Sequence, residues 1–257
     1  MVTAGLVAGL VGSVPDATAQ PAPTDRIVLW LGGGERPASR TFGSSRVFPA
    51  FFELANFKVD YDIGQGRIVD GGMAFRLWRN LGVGLDLSHY RSVNRARVTT
   101  ELPHPFFFDL PRTTMAEVGG LERLEVGAHI RALWMMQFVE WLVVSVSGGP
   151  SLISAQQNLV SSVEHTEVGF PFDEIVFAGH TTLGQSQTTV GANLGVDIDA
   201  FVLDKLPFVN RFEVARHIGV GVLIRYMRGS VDLLVGEDPV EVDLGGLHVT
   251  AGLRLRF

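Results

Sequence analysis

From Leu124 to Phe138 every even-numbered residue is apolar: Leu124, Val126, Ala128, Ile130, Ala132, Trp134, Met136 and Phe138. The odd positions from Arg123 onward include Glu125, His129, Arg131 and Gln137. Period two is the side-chain period of an extended strand, and eight successive matches exclude the 3.6-residue period of a helix. The pattern recurs. Over 189–202, Val190, Ala192, Leu194, Val196, Ile198, Ala200 and Val202 oppose Thr189, Asn193, Asp197 and Asp199. Over 217–226, Ile218, Val220, Val222, Ile224 and Tyr226 oppose His217, Gly219, Gly221 and Arg225. Shorter stretches at 69–78, 81–90 and from Leu142 onward repeat it, with Asp70, Arg76 and Asp86 on the polar side. Such a chain builds a sheet with two chemically different faces.

Both ends carry signals for export. Ala4 to Val14 is a short apolar stretch followed by Ala17-Thr18-Ala19, a small-residue site of the kind a secretory signal peptidase cuts. This divides the chain into a signal peptide, 1–19, and one domain, 20–257. At the other end, Leu247, Val249, Ala251, Leu253, Leu255 and Phe257 share one face of a strand, and His248, Thr250, Gly252, Arg254 and Arg256 the other. Hydrophobic residues make up 46% of the chain. After the leader no apolar run reaches the length of a membrane-spanning helix, so this content is spread over strands. The absence of cysteine removes disulfides, thiolate metal sites and cysteine nucleophiles. A net charge of -6 without a Lys/Arg cluster speaks against a nucleic-acid partner.

Alternation alone leaves two facings open. A soluble lipocalin-like barrel keeps its apolar face inside around a ligand, whereas a membrane barrel turns it toward lipid and lines its lumen with polar groups. Apolar faces 10 to 15 residues long, polar faces of Gly, Ser, Thr, Asn and mixed charges, and the two terminal signals favour the membrane barrel. Arg79-Asn80 and Val139-Glu140 mark tight turns, while 99–122 and 160–184 form long loops. Membrane barrels place short turns on the periplasmic side and long loops outside. The segment near 204–214 is a longer periplasmic turn. Counting both 27–34 and 51–62 gives nine strands, but single-chain bacterial barrels have an even number. We take 27–34 as the first wall strand and 51–62 as part of the first extracellular loop; the opposite choice stays open.

With these features the chain resembles the small eight-stranded outer-membrane β-barrel family, which includes the transmembrane domain of outer-membrane protein A. The segment Leu102-Pro-His-Pro-Phe-Phe-Phe-Asp-Leu-Pro-Arg112, followed by Gly120-Leu-Glu-Arg123, also resembles loops of that family. The resemblance implies an all-β fold, an eight-stranded antiparallel up-and-down transmembrane barrel in the bacterial outer membrane. It implies contact with outer-membrane lipid and lipopolysaccharide, and with the barrel assembly machinery through the strand ending in Phe257. A monomer without cofactor, metal or nucleic acid is expected. Anchoring to the cell wall through a peptidoglycan-binding domain, which some members carry after the barrel, is not expected.

Eight strands enclose an interior that side chains fill. The polar faces collect Arg76, Arg131, Arg225, Arg254 and Arg256 against Asp86, Glu125, Asp197 and Asp199, which pair into a lumen charge network because buried charges need partners. For an enzyme, adjacent Ser88 and His89 point to opposite faces, and His248 with Thr250 offers a weak nucleophile, so both are read as structural. No H-E-x-x-H spacing is present. Phe106, Phe107 and Phe108, set among prolines, either fold over the barrel mouth, rest at the lipid interface with the aromatic girdle, or lie open to recognise a partner. A non-enzymatic barrel of structural or surface-interaction role is therefore expected, with a lipid-modifying enzyme or a small pore or apolar-solute carrier as the alternatives.

Overall fold

A computed structural model describes residues 25–37, 39–202, 216–235 and 238–257. The predicted leader and the turn near 204–214 lie outside the described residues, apart from its neighbours at the strand ends. Ten antiparallel strands run β1 (Ile27–Arg36), β2 (Arg40–Ala50), β3 (Glu53–Ile63), β4 (Gly66–Trp78), β5 (Leu81–Leu102), β6 (Arg112–Val139), β7 (Leu142–Glu167), β8 (Ile175–Ala200), β9 (Ile218–Val235) and β10 (Asp238–Arg256). Eight of them close a ring in the order β5-β4-β1-β10-β9-β8-β7-β6 and back to β5. The strand at 27–34 is a wall strand, and 51–62 lies in a hairpin, β2–β3, that stands on the wall. Two-residue turns at Arg79–Asn80 and Glu140–Trp141 lie at the same end as the start of β1 and the end of β10, where Phe257 and Ile27 exchange backbone hydrogen bonds of 2.8 and 3.0 Å.

The segments expected as long loops are mostly strand. β5 continues to Leu102, β6 starts at Arg112, and β7 and β8 run on to Glu167 and from Ile175. Above the ring the wall divides. β5 leaves β4 after Arg91 and pairs with β3 from Arg95 to Glu101. β6 parts from β7 above Arg123–Gln157, β8 from β9 above Ala192–Arg228, and β10 from β1 above Glu35–Val249. Three pieces result: a four-stranded sheet β2-β3-β5-β6, a ribbon β7-β8 and a hairpin β9-β10. Their inner faces meet in an apolar cluster that includes Tyr61, Val98, Leu121, Leu159, Leu233 and Leu244.

The side-chain chemistry reverses along single strands. In the ring, β5 turns Leu81, Val83, Leu85 and Leu87 outward and Asp86 and Ser88 inward. Higher on the same strand, Arg91, Arg95, Arg97 and Glu101 face out while Ala96, Val98 and Leu102 are buried. On β7, Ser147 and Ser151 give way inside to Ile153, Ala155 and Leu159. On β10, outward Leu247, Val249 and Leu253 follow outward Glu241 and Asp243. β5 and β10 keep their period of two and change which face is oily, while β6 slips by one residue at Gly119–Gly120. The lower rim of the ring exposes Trp78, Trp134, Phe138 and Trp141.

Candidate functional site

Inward positions of the ring stack in layers. Lowest are Trp30, Ala74, Leu133 and Met135, around a cavity of about 40 Å³, room for a few waters. Above them, Arg131 Nε lies 2.5 Å from Asp86 Oδ2 and its Nη1 2.9 Å from Asp197 Oδ2. Arg225 binds Asp70 at 2.7 Å and also Asp86. Arg254 binds Asp199 at 2.7 Å and Asp197 at 3.3 Å. Trp30 Nε1 donates to Asp70 Oδ1 at 3.1 Å, and the Arg131 guanidinium lies 4.9 Å from the Trp30 ring centre. Arg131 and Arg225 are 1% and 0% exposed, so the shared carboxylates offset the cost of their desolvation.

One turn higher, His129 accepts or donates toward Ser88 Oγ at 2.9 Å and Ser151 Oγ at 2.7 Å, and Asn193 Nδ2 donates to Ser151 Oγ at 2.8 Å. Sequence inspection does not pair Ser88 with His129, because the two lie on different strands. Their separation suits a nucleophile and base, but the second ring nitrogen meets a hydroxyl instead of a carboxylate, and both side chains are buried. The next layer centres on Glu125, which accepts from Arg36 at 2.6 Å, Arg123 at 2.7 Å and the Gly245 N–H at 3.2 Å. Arg36 also donates to His248 Nε2 at 3.2 Å and stacks 3.5 Å over the Tyr90 ring.

This layer closes a seam. Gly245 and Gly246 take φ of +81° and +132° where β10 turns away from β1, a conformation open to glycine. The strand edge that β1 no longer covers has its carbonyls bonded by side chains: Arg123 donates to Asp243 O at 2.8 Å and Arg40 to Leu244 O at 3.3 Å.

Several expected assignments shift. Glu125 does not face Arg131, Arg225 or Arg254; it belongs to the upper layer with Arg36 and Arg123. Arg76 and Arg256 lie near the strand ends and line the lower mouth of the lumen below Arg131 and Arg254. Arg256 pairs with Asp25 at 3.2 Å, and Arg76 donates to Met135 Sδ at 3.8 Å. Asp70, Arg36 and Arg123 join the network without having been expected there; Arg36 lies just past the apolar stretch that marks β1, and its strand character shows only in the pairing with Gly66. Among the described residues, Arg36, Arg123, Arg131, Arg225 and Arg254 face Asp70, Asp86, Glu125, Asp197 and Asp199, five cations against five anions. The formal charges of these ten groups balance.

The far end is different in kind. Phe106, Phe107 and Phe108 are exposed, as are Phe51 and Phe52 at the β2–β3 turn and Phe170 at the β7–β8 tip. These tips are tied together. Arg112, buried beneath them, donates to Pro103 O at 2.7 Å, Phe172 O at 2.9 Å and Glu167 Oε1 at 3.1 Å. His104 Nδ1 accepts from the Phe106 and Phe107 N–H groups at 3.1 and 3.2 Å, which leaves the proton on Nε2, 3.4 Å from Asp173. The Asp109 N–H donates to Glu53 at 3.0 Å, and the Phe106 and Phe172 rings lie 5.8 Å apart. Phe51, Phe52 and Phe172 have φ of +50°, +65° and +70°. A side chain there costs on the order of 1–2 kcal/mol per residue, and a two-residue turn of this shape favours Asn-Gly. Three phenylalanines are held against their backbone preference, a feature that clusters at functional surfaces.

Among the described residues no three His, Asp or Glu side chains gather as a metal site. No protein-family model matches the chain, and no curated protein matches it. Among solved structures it is similar to Neisserial surface protein A, 12% identical over 90% of this chain and 97% of that one, with a TM-score of 0.41. It is also similar to Ail, the attachment invasion locus protein of Yersinia pestis, solved with the heparin analogue sucrose octasulfate, at 10% identity over 90% and 99% of the two chains and a TM-score of 0.34. The outer-membrane protease OmpT of Escherichia coli is 12% identical over 94% of this chain and 99% of its own, with a TM-score of 0.37.

Proposed function

We propose that the chain is a non-enzymatic outer-membrane barrel with a closed lumen, whose working part is the structure projecting from the far end of the ring. The observation that carries this is the reversal of amphipathic phase along unbroken strands. A wall that is apolar outside and charged inside suits lipid, and the same strands with an apolar inside and a charged outside suit water. The level where one changes to the other is the membrane surface, with the two-residue turns and the end of β10 on the periplasmic side. The lumen is filled by a neutral salt-bridge network and capped by the apolar cluster, which supports a structural or contact role over transport. The exposed phenylalanines are the surface that such a role would use.

Two measurements test this. Purified protein in planar bilayers is expected to give no steady conductance; large, lasting single-channel currents would assign a pore. Because the chain has no cysteine, Phe107→Cys on intact cells is expected to react with a membrane-impermeant maleimide, while Glu140→Cys at the opposite turn reacts only after the outer membrane is opened. The reverse labelling would overturn the orientation.

A further inference from the structure

On the membrane reading above, we propose that the summit formed by Phe51, Phe52, Phe106, Phe107, Phe108 and Phe170 docks onto the face of a zwitterionic phospholipid bilayer, separate from the one holding the barrel. The rings stand on three neighbouring tips: the buried Arg112 bonds the 103–111 and 168–174 tips to each other, and the Asp109 N–H bond to Glu53 ties the 51–52 tip to them. Phe52 is fully exposed and Phe170 is 86% exposed, so the surface is convex and offers no groove for a peptide. Aromatic rings on protruding tips enter the interfacial layer of a bilayer, which deforms to fit them where a protein receptor would need a matching set of pockets. The backbone that carries the rings is already ordered by these bonds, so entry costs little further loop ordering.

Charge selects the kind of bilayer. The tips at 51–52, 103–111 and 168–174 contain no Lys or Arg, and they expose Asp109, Asp173 and Glu174. Basic residues are what draw a protein to anionic lipid, so acidic tips disfavour anionic bilayers and polyanions alike. A neutral headgroup layer leaves the apolar contact unopposed.

The test uses full-length protein in nanodiscs, with Phe107→Cys as its single thiol, carrying an environment-sensitive fluorophore. Phosphatidylcholine vesicles with brominated acyl chains are then added. The expected result is a blue shift with quenching, and co-flotation of nanodiscs with vesicles. Adding Phe52→Ser, Phe106→Ser and Phe170→Ser is expected to lower the bound fraction at least tenfold, and these exposed positions leave the heat-dependent gel mobility of the barrel unchanged. Phosphatidylglycerol vesicles are expected to bind at least tenfold more weakly. Equal binding to both lipids, or binding that survives the triple substitution, would overturn the proposal. So would paired nanodiscs without a vesicle signal, which would assign the summit to a second copy of the chain. If the Phe107→Cys variant is labelled on cells but gives no vesicle signal, only the bilayer proposal falls; if it is not labelled, the membrane orientation falls with it.

Discussion

Two carboxylates hold the lumen together in different ways. Asp86 is shared by Arg131 and Arg225, while Glu125 joins Arg36, Arg123 and the Gly245 N–H. Removing one partner of a fully buried pair costs about 3–5 kcal/mol, and less where water enters. Glu125→Ala and Asp86→Ala are each expected to lower the urea midpoint of the compact band on unheated gels. Neither is expected to open a conducting path, because the apolar cluster still caps the lumen; a current from Glu125→Ala would show that the charged layer alone is the seal. Asn193 stays inside as its alternation implies, but its donation to Ser151 and to Gly149 O at 2.9 Å makes Asn193→Ser costly, by about 1–3 kcal/mol. In the outer apolar cluster, burial pushes the Tyr61 hydroxyl above its ordinary value of 10.0. The neutral form is the one the fold holds, so its contribution is complete below the unfolded value and is lost as pH rises from about 10 toward the folded value. Tyr61→Phe is expected to flatten that alkaline fall in stability, read by denaturant unfolding across pH.

At the scale of single strands, wall faces were legible and the projecting parts were not. Outward Val126 and Leu194, and inward Asp197 and Arg225, stand where the period of two puts them. Leu194→Arg is expected to block assembly, since a cation facing mid-bilayer lipid costs about 2–4 kcal/mol, and pulse-labelled membrane fractions would report it. The upper halves of β5, β7 and β10 escape the pattern because their amphipathic phase inverts above the ring: continuing the count from Leu87 meets Arg91, Arg95 and Arg97 on the expected apolar face. β2 gives no signal at all, since Phe42 and Phe48 share a face with Ser44 and Arg46. The charge network was legible as a set of residues but not as pairs, because partners lie on separate strands. Closure between β1 and β10 needs glycine for a reason that no pattern displays. A Cβ on Gly34 would collide with the Val249 carbonyl and one on Gly252 with the Leu31 carbonyl. Gly34→Val is expected to leave the chain unclosed and sensitive to added protease.

For the molecule as a whole, the ring closes through backbone ladders, and among the described residues the three projecting pieces meet through side chains. Exchanging Phe51-Phe52 for Asn-Gly is expected to relieve the strained turn and raise the resistance of β2–β3 to proteolysis, while erasing its share of summit contacts. A proteolysis rate that does not fall would show that the two rings are held there without strain. The long strands also bear on force. β5 and β6 run unbroken from the summit tip to the two-residue turns at the opposite rim, 22 and 28 residues each. Tension applied at Phe107 passes along covalent chain and loads the neighbouring ladders in shear, where many hydrogen bonds yield together. Tension applied at Phe52 runs down the shorter β2–β3 hairpin, whose ladder to β5 has seven pairs, from Asn56–Glu101 to Asp62–Arg95, so fewer bonds share the load. A molecule tethered by its summit would thus release the small hairpin first and keep its grip through the two long strands, which makes the anchored ring and the distant tips one mechanical unit.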